Sequence, residues 1–282
     1  CQRNARDRHR DRNRDCPPAT NPRKNRYLRG GIRNAQNHIR MNRIVIIGAT
    51  SGIGLEVAKR YISAGWRVGA AGRNKEALER LRALAPEQVA TERLDVTEEQ
   101  APTRLTELIG KLGGMDLFLL TSGIGSRNCE LEAGVEIATV GTNVVGFTRM
   151  VTAAYAYFRT RKGGHLAVIS SIAGTKGLGS APSYSASKRF QSTYIDALAQ
   201  LAHMERLDLR FTDIRPGFVA TPLLKHPYPM LMRPERVADR IVRALQRKRR
   251  RVVIDGRYAL LVYFWRLIPN GLWERLNIRA KE

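Results

Sequence analysis

Tyr184 and Lys188 stand four residues apart in "PSYSASKRFQ", a spacing at which a phenol and an ammonium can act on one another. On a helix, residues i and i+4 share a face. A free phenol has a pKa of about 10 and exchanges protons poorly at neutral pH. A cation held beside it favours the phenolate and lowers that value. Tyr184 is therefore a candidate proton donor and base, with Lys188 as the group that tunes it. The pair needs supporting context, because the chain holds nine tyrosines and a lone Tyr-x-x-x-Lys match arises readily by chance.

That context starts with the elements that must position the pair. From residue 43 onward, short apolar runs alternate with helical patterns. Strand candidates are 44–47, 67–71, 89–94, 117–120, 165–170, 210–214 and 252–254. Between them lie segments such as "GLEVAKRYISAG" and "NKEALERLRALA", whose apolar residues recur at helical spacing. Runs that are apolar nearly throughout, such as "IVIIG" and "LFLL", suit a sheet covered on both faces. Strand–helix alternation at this rhythm implies right-handed βαβ units. The expectation is an α/β protein with a doubly wound parallel sheet (a Rossmann fold) in a single domain over residues 41–256, followed by an amphipathic extension over 257–282.

Directly after the first strand comes "GATSGIG", with Gly48, Gly52 and Gly54. Glycines there allow a tight turn and close approach of the backbone to a pyrophosphate at a helix N-terminus. Thr50 and Ser51 add hydroxyl and backbone donors. The strand before this loop and the amphipathic helix after it are the context that such a loop requires. At the end of the second strand, "AAGRN" offers no acid for a ribose 2′-hydroxyl and one guanidinium, Arg73, suited to a 2′-phosphate. NADP(H) is thus preferred, with NAD(H) as the alternative.

These residues together resemble the short-chain dehydrogenase/reductase (SDR) family. The resemblance covers residues 43–254 and rests on "GATSGIG", "LDVT", "GTNVVG", "ISSIAG", "YSASK" and "RPGFVATP", in the family's order and at its usual spacings. It implies an oxidoreductase that moves a hydride between a nicotinamide and a carbonyl or secondary alcohol. It implies a catalytic tetrad of Asn143, Ser171, Tyr184 and Lys188. Ser171 is chosen over Ser170 because it lies 13 residues before Tyr184, the family's common separation. In this tetrad Ser171 hydrogen-bonds the substrate carbonyl, Lys188 also binds the nicotinamide ribose, and Asn143, which is expected mid-helix in "EIATVGTNVVGF", holds a water in a proton relay through Lys188. The resemblance also implies cofactor contacts from Ile53 in the glycine loop, Asp95 and Val96 near adenine, and Ser122 and Gly123 after the fourth strand. Pro216, Gly217, Val219 and Thr221 are implied near the carboxamide. The chain departs from the family where Asn-Asn-Ala-Gly is common and Leu120-Thr121-Ser122-Gly123 stands instead. Thr121 is expected to replace the missing amide contacts in part.

Composition narrows the remaining classes. A chain of 282 residues with 43% hydrophobic and 26% charged residues is globular rather than disordered or collagen-like. Residues 1–40 hold 12 Lys/Arg against 3 Asp, so +9 of the formal charge of +24 sits in them. That segment has few large apolar residues and is expected to be disordered, with Met41 as the natural start. A nucleic-acid role for this basic segment is disfavoured. The three cysteines show neither metal spacing nor an even framework, which suits a reducing, cytoplasmic setting without a bound metal. The resemblance implies that the segment after "RPGFVATP" shapes the substrate pocket; it carries Leu223, Leu224, Tyr228, Met230, Leu231 and Met232, so an apolar lid and a hydrophobic ketone or aldehyde are expected, with His226 as a lid or surface residue. Pairing into a homodimer or homotetramer is implied by the resemblance alone. For "RYALLVYFWRLIPNGLWERLNIR", packing on a second subunit or on the pocket is favoured over a peripheral membrane contact. A non-catalytic NADP(H)-binding regulator is the remaining class, supported by the altered Leu-Thr-Ser-Gly segment and the basicity.

Overall fold

The apolar runs form strands because both of their faces find a cover. In β1 (Arg43–Ile47), Ile44 and Ile46 enter one core with Val57, Tyr61 and Ile241. Val45 and Ile47 point the other way, into a second core with Leu108, Phe118 and Ile195. Each side chain of this size contributes roughly 1.5–3 kcal/mol when fully buried. The computed structural model describes residues 42–224, 228 and 230–277. The expectations for the basic segment 1–40, for Met41 and for His226 lie outside these residues.

The strands β2 (Arg67–Gly72), β3 (Val89–Arg93), β4 (Leu117–Leu120), β5 (Gly163–Ile169), β6 (Asp208–Pro216) and β7 (Arg251–Ile254) join β1 in one seven-stranded sheet of order β3-β2-β1-β4-β5-β6-β7. Every pairing is parallel. All seven expected strands are present, and β6 extends two residues beyond each end of the expected 210–214. The helices α1 (Gly52–Ser63), α2 (Lys75–Ala83), α3 (Ala101–Leu112), α4 (Ala133–Val140), α5 (Phe147–Thr160), α6 (Pro182–Met204) and α7 (Pro234–Gln246) connect the strands and cover the sheet. Two more helices, α8 (Gly256–Leu267) and α9 (Asn270–Trp273), follow β7.

From β1 the chain first builds outward to β2 and β3, then crosses back to β4 on the other side. A crevice opens at such a reversal, beyond the carboxyl ends of the strands. Here that crevice lies between Ile47 and Leu120, which are paired in register.

One helix differs from expectation. Asn143 is not in a regular α-helix: Gly141–Gly146 forms a π-helical turn between α4 and α5. Such turns often mark functional positions. Here Gly146 sits so close to β3's following segment that a Cβ would lie 2.7 Å from Val96 Cγ2.

Candidate active site

The glycine loop is shaped by what it must avoid. Gly48 has φ of 93°, and a Cβ there would stand 2.5 Å from Thr121 Oγ1 and 2.8 Å from Ser122 N. A Cβ on Gly54 would overlap the Gly48 carbonyl oxygen. Ser51 is the N-cap of α1, and its side chain makes no capping hydrogen bond. Among the described residues no side chain accepts from the first-turn amides of α1, and the N-terminus of a helix is a place where backbone amides can receive an anion. Ile53 packs on the core behind the loop. Across the cleft, Thr221 Cγ2 lies 3.0 Å from where a Gly52 Cβ would be. Thr50 lies against Gly72, whose absent side chain leaves room for it.

Thr121 braces this region through its hydroxyl. Its Oγ1 donates toward the Ile47 carbonyl at 2.9 Å and toward the Gly48 carbonyl at 3.0 Å. A single hydroxyl thus ties the end of β4 to the end of β1 where the family commonly has an amide. Arg73 is exposed, with its guanidinium 3.9 Å from Asp95. Burial would raise the Asp95 carboxyl. Hydrogen bonds from Thr97 and the charges of Arg73 and Arg93 outweigh it and hold the carboxyl below its ordinary value. Val96 is buried beside it.

The π-helical turn aims Asn143 inward. The residue is fully buried, its amide donating to the Ile124 carbonyl at 2.7 Å and to Ser187 Oγ at 3.1 Å, and its Oδ1 accepting from Ile124 N at 2.9 Å. It thereby pins the loop after β4. Its own backbone carbonyl accepts from Gln191 Nε2 at 2.9 Å, and Gln191 Oε1 accepts from Lys188 Nζ at 3.0 Å. The Ile169 carbonyl is the second acceptor of Lys188, at 3.1 Å. An ammonium has three donors, so one N–H of Lys188 is left without an acceptor among the described residues. Burial pulls Lys188 down to about 8, against the opposing charge of Asp213.

Lys188 Nζ lies 5.8 Å from the centroid of the Tyr184 ring. A Cβ on Gly125 would overlap that ring, and a Cβ on Gly123 would stand 3.2 Å from Asn143 Oδ1 and 3.3 Å from Lys188 Nζ. The loop after β4 is thus the floor on which the cluster rests. Burial raises the Tyr184 phenol above its ordinary value, the Ser171 hydroxyl hydrogen-bonds to it and lowers it, and Tyr228 raises it. This corrects the expectation that Lys188 depresses the phenol. In the protein alone, desolvation outweighs a cation whose donors are turned to Ile169 and Gln191.

The two adjacent serines face different partners. Ser171 accepts from Ala173 N at 3.1 Å as the cap of a short 3₁₀ turn and reaches Tyr184. Ser170 is tied to the Asp213 carboxylate and donates weakly to the Ile214 carbonyl at 3.3 Å. Asp213 is fully buried and receives Arg215 Nε and Nη2, each at 2.7 Å. Pro216 ends β6, and its carbonyl is 3.5 Å from Ser171 Oγ. Gly217 is covered by the Tyr258 ring, and buried Val219 bridges to Met232.

The structure therefore brings Asn143, Ser171, Tyr184 and Lys188 into one cluster beside the glycine loop, with Ser122 and Gly123 between them. Asp95 and Val96 lie at the β3 end with Arg73. Gln191, Gly125 and Asp213 were missed by sequence reasoning. Gln191 stands one helical turn beyond Lys188 on α6, and that spacing was the only signal that could have pointed to it.

The switch-point crevice, glycine cradle and buried serine–tyrosine–lysine cluster define a dinucleotide-binding α/β protein. A family model described as short chain dehydrogenase matches residues 42–230, and the chain belongs to that family. An uncharacterized oxidoreductase of Myxococcus xanthus is 32% identical over 251 residues, spanning 84% of this chain and 96% of that protein. Among solved structures, the 3-ketoacyl-(acyl-carrier-protein) reductase of Brucella melitensis complexed with NADH superposes with a TM-score of 0.68 at 23% identity, covering 76% of this chain and 97% of that one. The alcohol dehydrogenase of Thermococcus sibiricus complexed with 5-hydroxy-NADP gives a TM-score of 0.68 at 22% identity, covering 77% and 97%. At these identities the two structures speak for the fold. Family membership makes the protein an oxidoreductase.

Proposed function

We propose that this protein is an NADP(H)-dependent oxidoreductase that interconverts a carbonyl and a secondary alcohol, with Tyr184 as general acid and base. The observation that carries the reading is the gathering of Tyr184 and buried Lys188 on the loop after β4, where a Gly125 Cβ would meet the Tyr184 ring and a Gly123 Cβ would stand 3.3 Å from Lys188 Nζ, next to the glycine loop that Thr121 ties to β4. Gly48, Thr50, Ser51, Gly52, Ile53 and Gly54 would hold the pyrophosphate, Arg73 the 2′-phosphate, and Asp95 and Val96 the adenine. Ser122, Gly123, Asn143, Tyr184 and Lys188 would line the ribose side, with Pro216, Gly217, Val219 and Thr221 at the carboxamide. The bound nicotinamide supplies hydride chemistry. This chain's residues handle the substrate oxygen: in reduction, Tyr184 gives its proton to that oxygen while Ser171 donates a hydrogen bond as negative charge develops there. A phenol kept neutral by burial is ready to donate. The one N–H of Lys188 that has no acceptor among the described residues would be left to donate to the cofactor. The intact cluster argues against a non-catalytic regulator. Exposed Ile137, Val140 and Val145 on α4 and the π-helical turn support the expected pairing of subunits. A screen of NADPH consumption over apolar ketones and aldehydes tests the reading, and the absence of both NADPH binding and turnover would overturn it.

Two further outcomes follow. Arg73→Ala should raise the KM for NADPH by about 10- to 100-fold while leaving that for NADH nearly unchanged, the loss of a charge-assisted contact to one phosphate. Steady-state kinetics with both dinucleotides read this, and equal effects on the two would remove Arg73 from cofactor choice. Gln191→Leu removes an acceptor from the Lys188 ammonium. That disfavours the charged form, so a pKa already pulled to about 8 falls further. The alkaline limb of the pH–rate profile should move acidward by about one pH unit. An unmoved limb with a lowered kcat would leave Gln191 a packing residue only.

A further inference from the structure

We propose that the face made by α8, α9 and the groove beside β7 docks on an anionic phospholipid bilayer. Helix α8 has two unlike sides. Tyr258 and Val262 are buried on the body of the protein. Opposite them Leu260, Tyr263, Phe264 and Leu267 form a stripe at positions i, i+3, i+4 and i+7, exposed by 55–62%. Leu272 and Leu276 continue it, also exposed. An apolar stripe of this kind on a helix rich in aromatic residues and framed by arginines is the pattern of helices that lie in a membrane interface.

Charge decides what covers it. Residues 256–282 hold five basic residues against two glutamates. Arg266 and Arg275 form no ion pair among the described residues. Burial lowers Arg266 below the usual arginine value, and the neighbouring cations Arg215, Arg251 and Arg189 lower it further. Arg251 in turn lines a groove of about 330 Å³ along β7 and α7, together with Arg240, Arg243, Arg247 and Arg249. Of these five, only Arg251 is ion-paired among the described residues, with Asp196 at 3.0 Å and Asp213 at 3.8 Å. A second copy of this chain laid across the face would set arginine against arginine, which is unfavourable. Phosphate-bearing headgroups supply the anions this frame lacks, and their acyl chains receive the stripe. The sequence alone favoured packing against a subunit or the pocket; the bare stripe and its unpaired cations reverse that preference.

The face also adjoins the cleft. Lys176 Nζ donates to the Ile268 carbonyl at 2.8 Å and Asn270 Oδ1 at 2.7 Å, and Trp273 Nε1 donates to the Gly177 carbonyl at 2.7 Å. Tyr258 Oη donates to the Met230 carbonyl at 3.1 Å. Residues 176 and 177 lie on the connection between Ser171 and Tyr184, so a docked bilayer would meet the rim of the site.

Co-sedimentation of the full chain tests this. The protein should pellet with phosphatidylcholine vesicles containing about three parts in ten phosphatidylserine, and not with phosphatidylcholine alone. Raising salt from about 0.1 M to about 0.5 M should release it. The triple change Leu260→Ser, Phe264→Ser and Leu267→Ser should weaken binding by about tenfold or more, with an unchanged thermal midpoint because these side chains are exposed. Arg243→Ala with Arg247→Ala and Arg249→Ala should weaken it as well. Absence of binding overturns the proposal. So does binding that the stripe variant retains in full, which would place it in residues 1–40. A dimer seen by sedimentation velocity that the stripe change dissociates would give the face to a second copy and overturn it too. The readout is independent of turnover, so its failure would leave the redox reading standing.

Discussion

Tyr184→Phe should lower turnover by about 10²- to 10⁴-fold on any substrate the protein accepts, the range general acid–base groups contribute. The phenol oxygen is the only group removed. The ring that rests on Gly125 remains, so its packing on the loop after β4 is kept and dinucleotide binding should persist. Kinetics and fluorescence titration with NADPH, run side by side, separate the two. Turnover within tenfold of the wild type would mean that the proton comes from elsewhere. A loss of turnover accompanied by lost NADPH binding would mean that the ring, not the oxygen, is what the site needs.

The second large effect concerns stability. Asp213 lies fully buried against Arg215, which is itself only 5% exposed. Asp213→Ala strands that guanidinium in the interior and takes the carboxylate acceptor from Ser170. Breaking one side of a buried pair costs about 3–5 kcal/mol. Urea unfolding should show a loss of that size, and a loss below about 1 kcal/mol would mean that water or another group reaches Arg215. Asp213→Leu combined with Arg215→Met should recover most of the stability, because it is the orphaned charge that is expensive. Ser170 precedes Ser171 directly, so the single variant should also blunt catalysis through position rather than chemistry.

The parts of the site that sequence made legible are those whose chemistry is written locally. A glycine loop must follow a strand and open a helix, and β1, the loop and α1 do so. Ser171 is preferred to Ser170 by its distance along the chain from Tyr184; in the structure Ser170 is engaged by Asp213, while Ser171 caps the short 3₁₀ turn through Ala173 N. The illegible parts depend on which groups converge in space. Asn143 was expected on a plain helix, but whether a helix takes an extra residue per turn depends on what its side chain finds, here the backbone of Ile124. Gln191 looks like any polar residue on α6 until Lys188 and the Asn143 carbonyl are placed on either side of it. The direction of the Tyr184 shift was misjudged for the same reason. A nearby lysine is visible in sequence, whereas the depth to which both groups are buried is not. Thr121 is an intermediate case: a partial substitute for an amide was foreseen, and its hydroxyl bridges two carbonyls.

The latches that tie α8 and α9 to the cleft bear on the order in which the protein comes into being. A chain leaving the ribosome presents its N-terminal elements first. The glycine loop is encoded early, between Gly48 and Gly54, and Tyr184 and Lys188 emerge before Tyr258 and Trp273. Gly217 gains its cover, and Gly177 its partner, only when Tyr258 and Trp273 have been made. The rim of the cleft is thus finished after its floor, and a nascent chain with its glycine loop and α6 in place does not yet have a closed wall around that cleft.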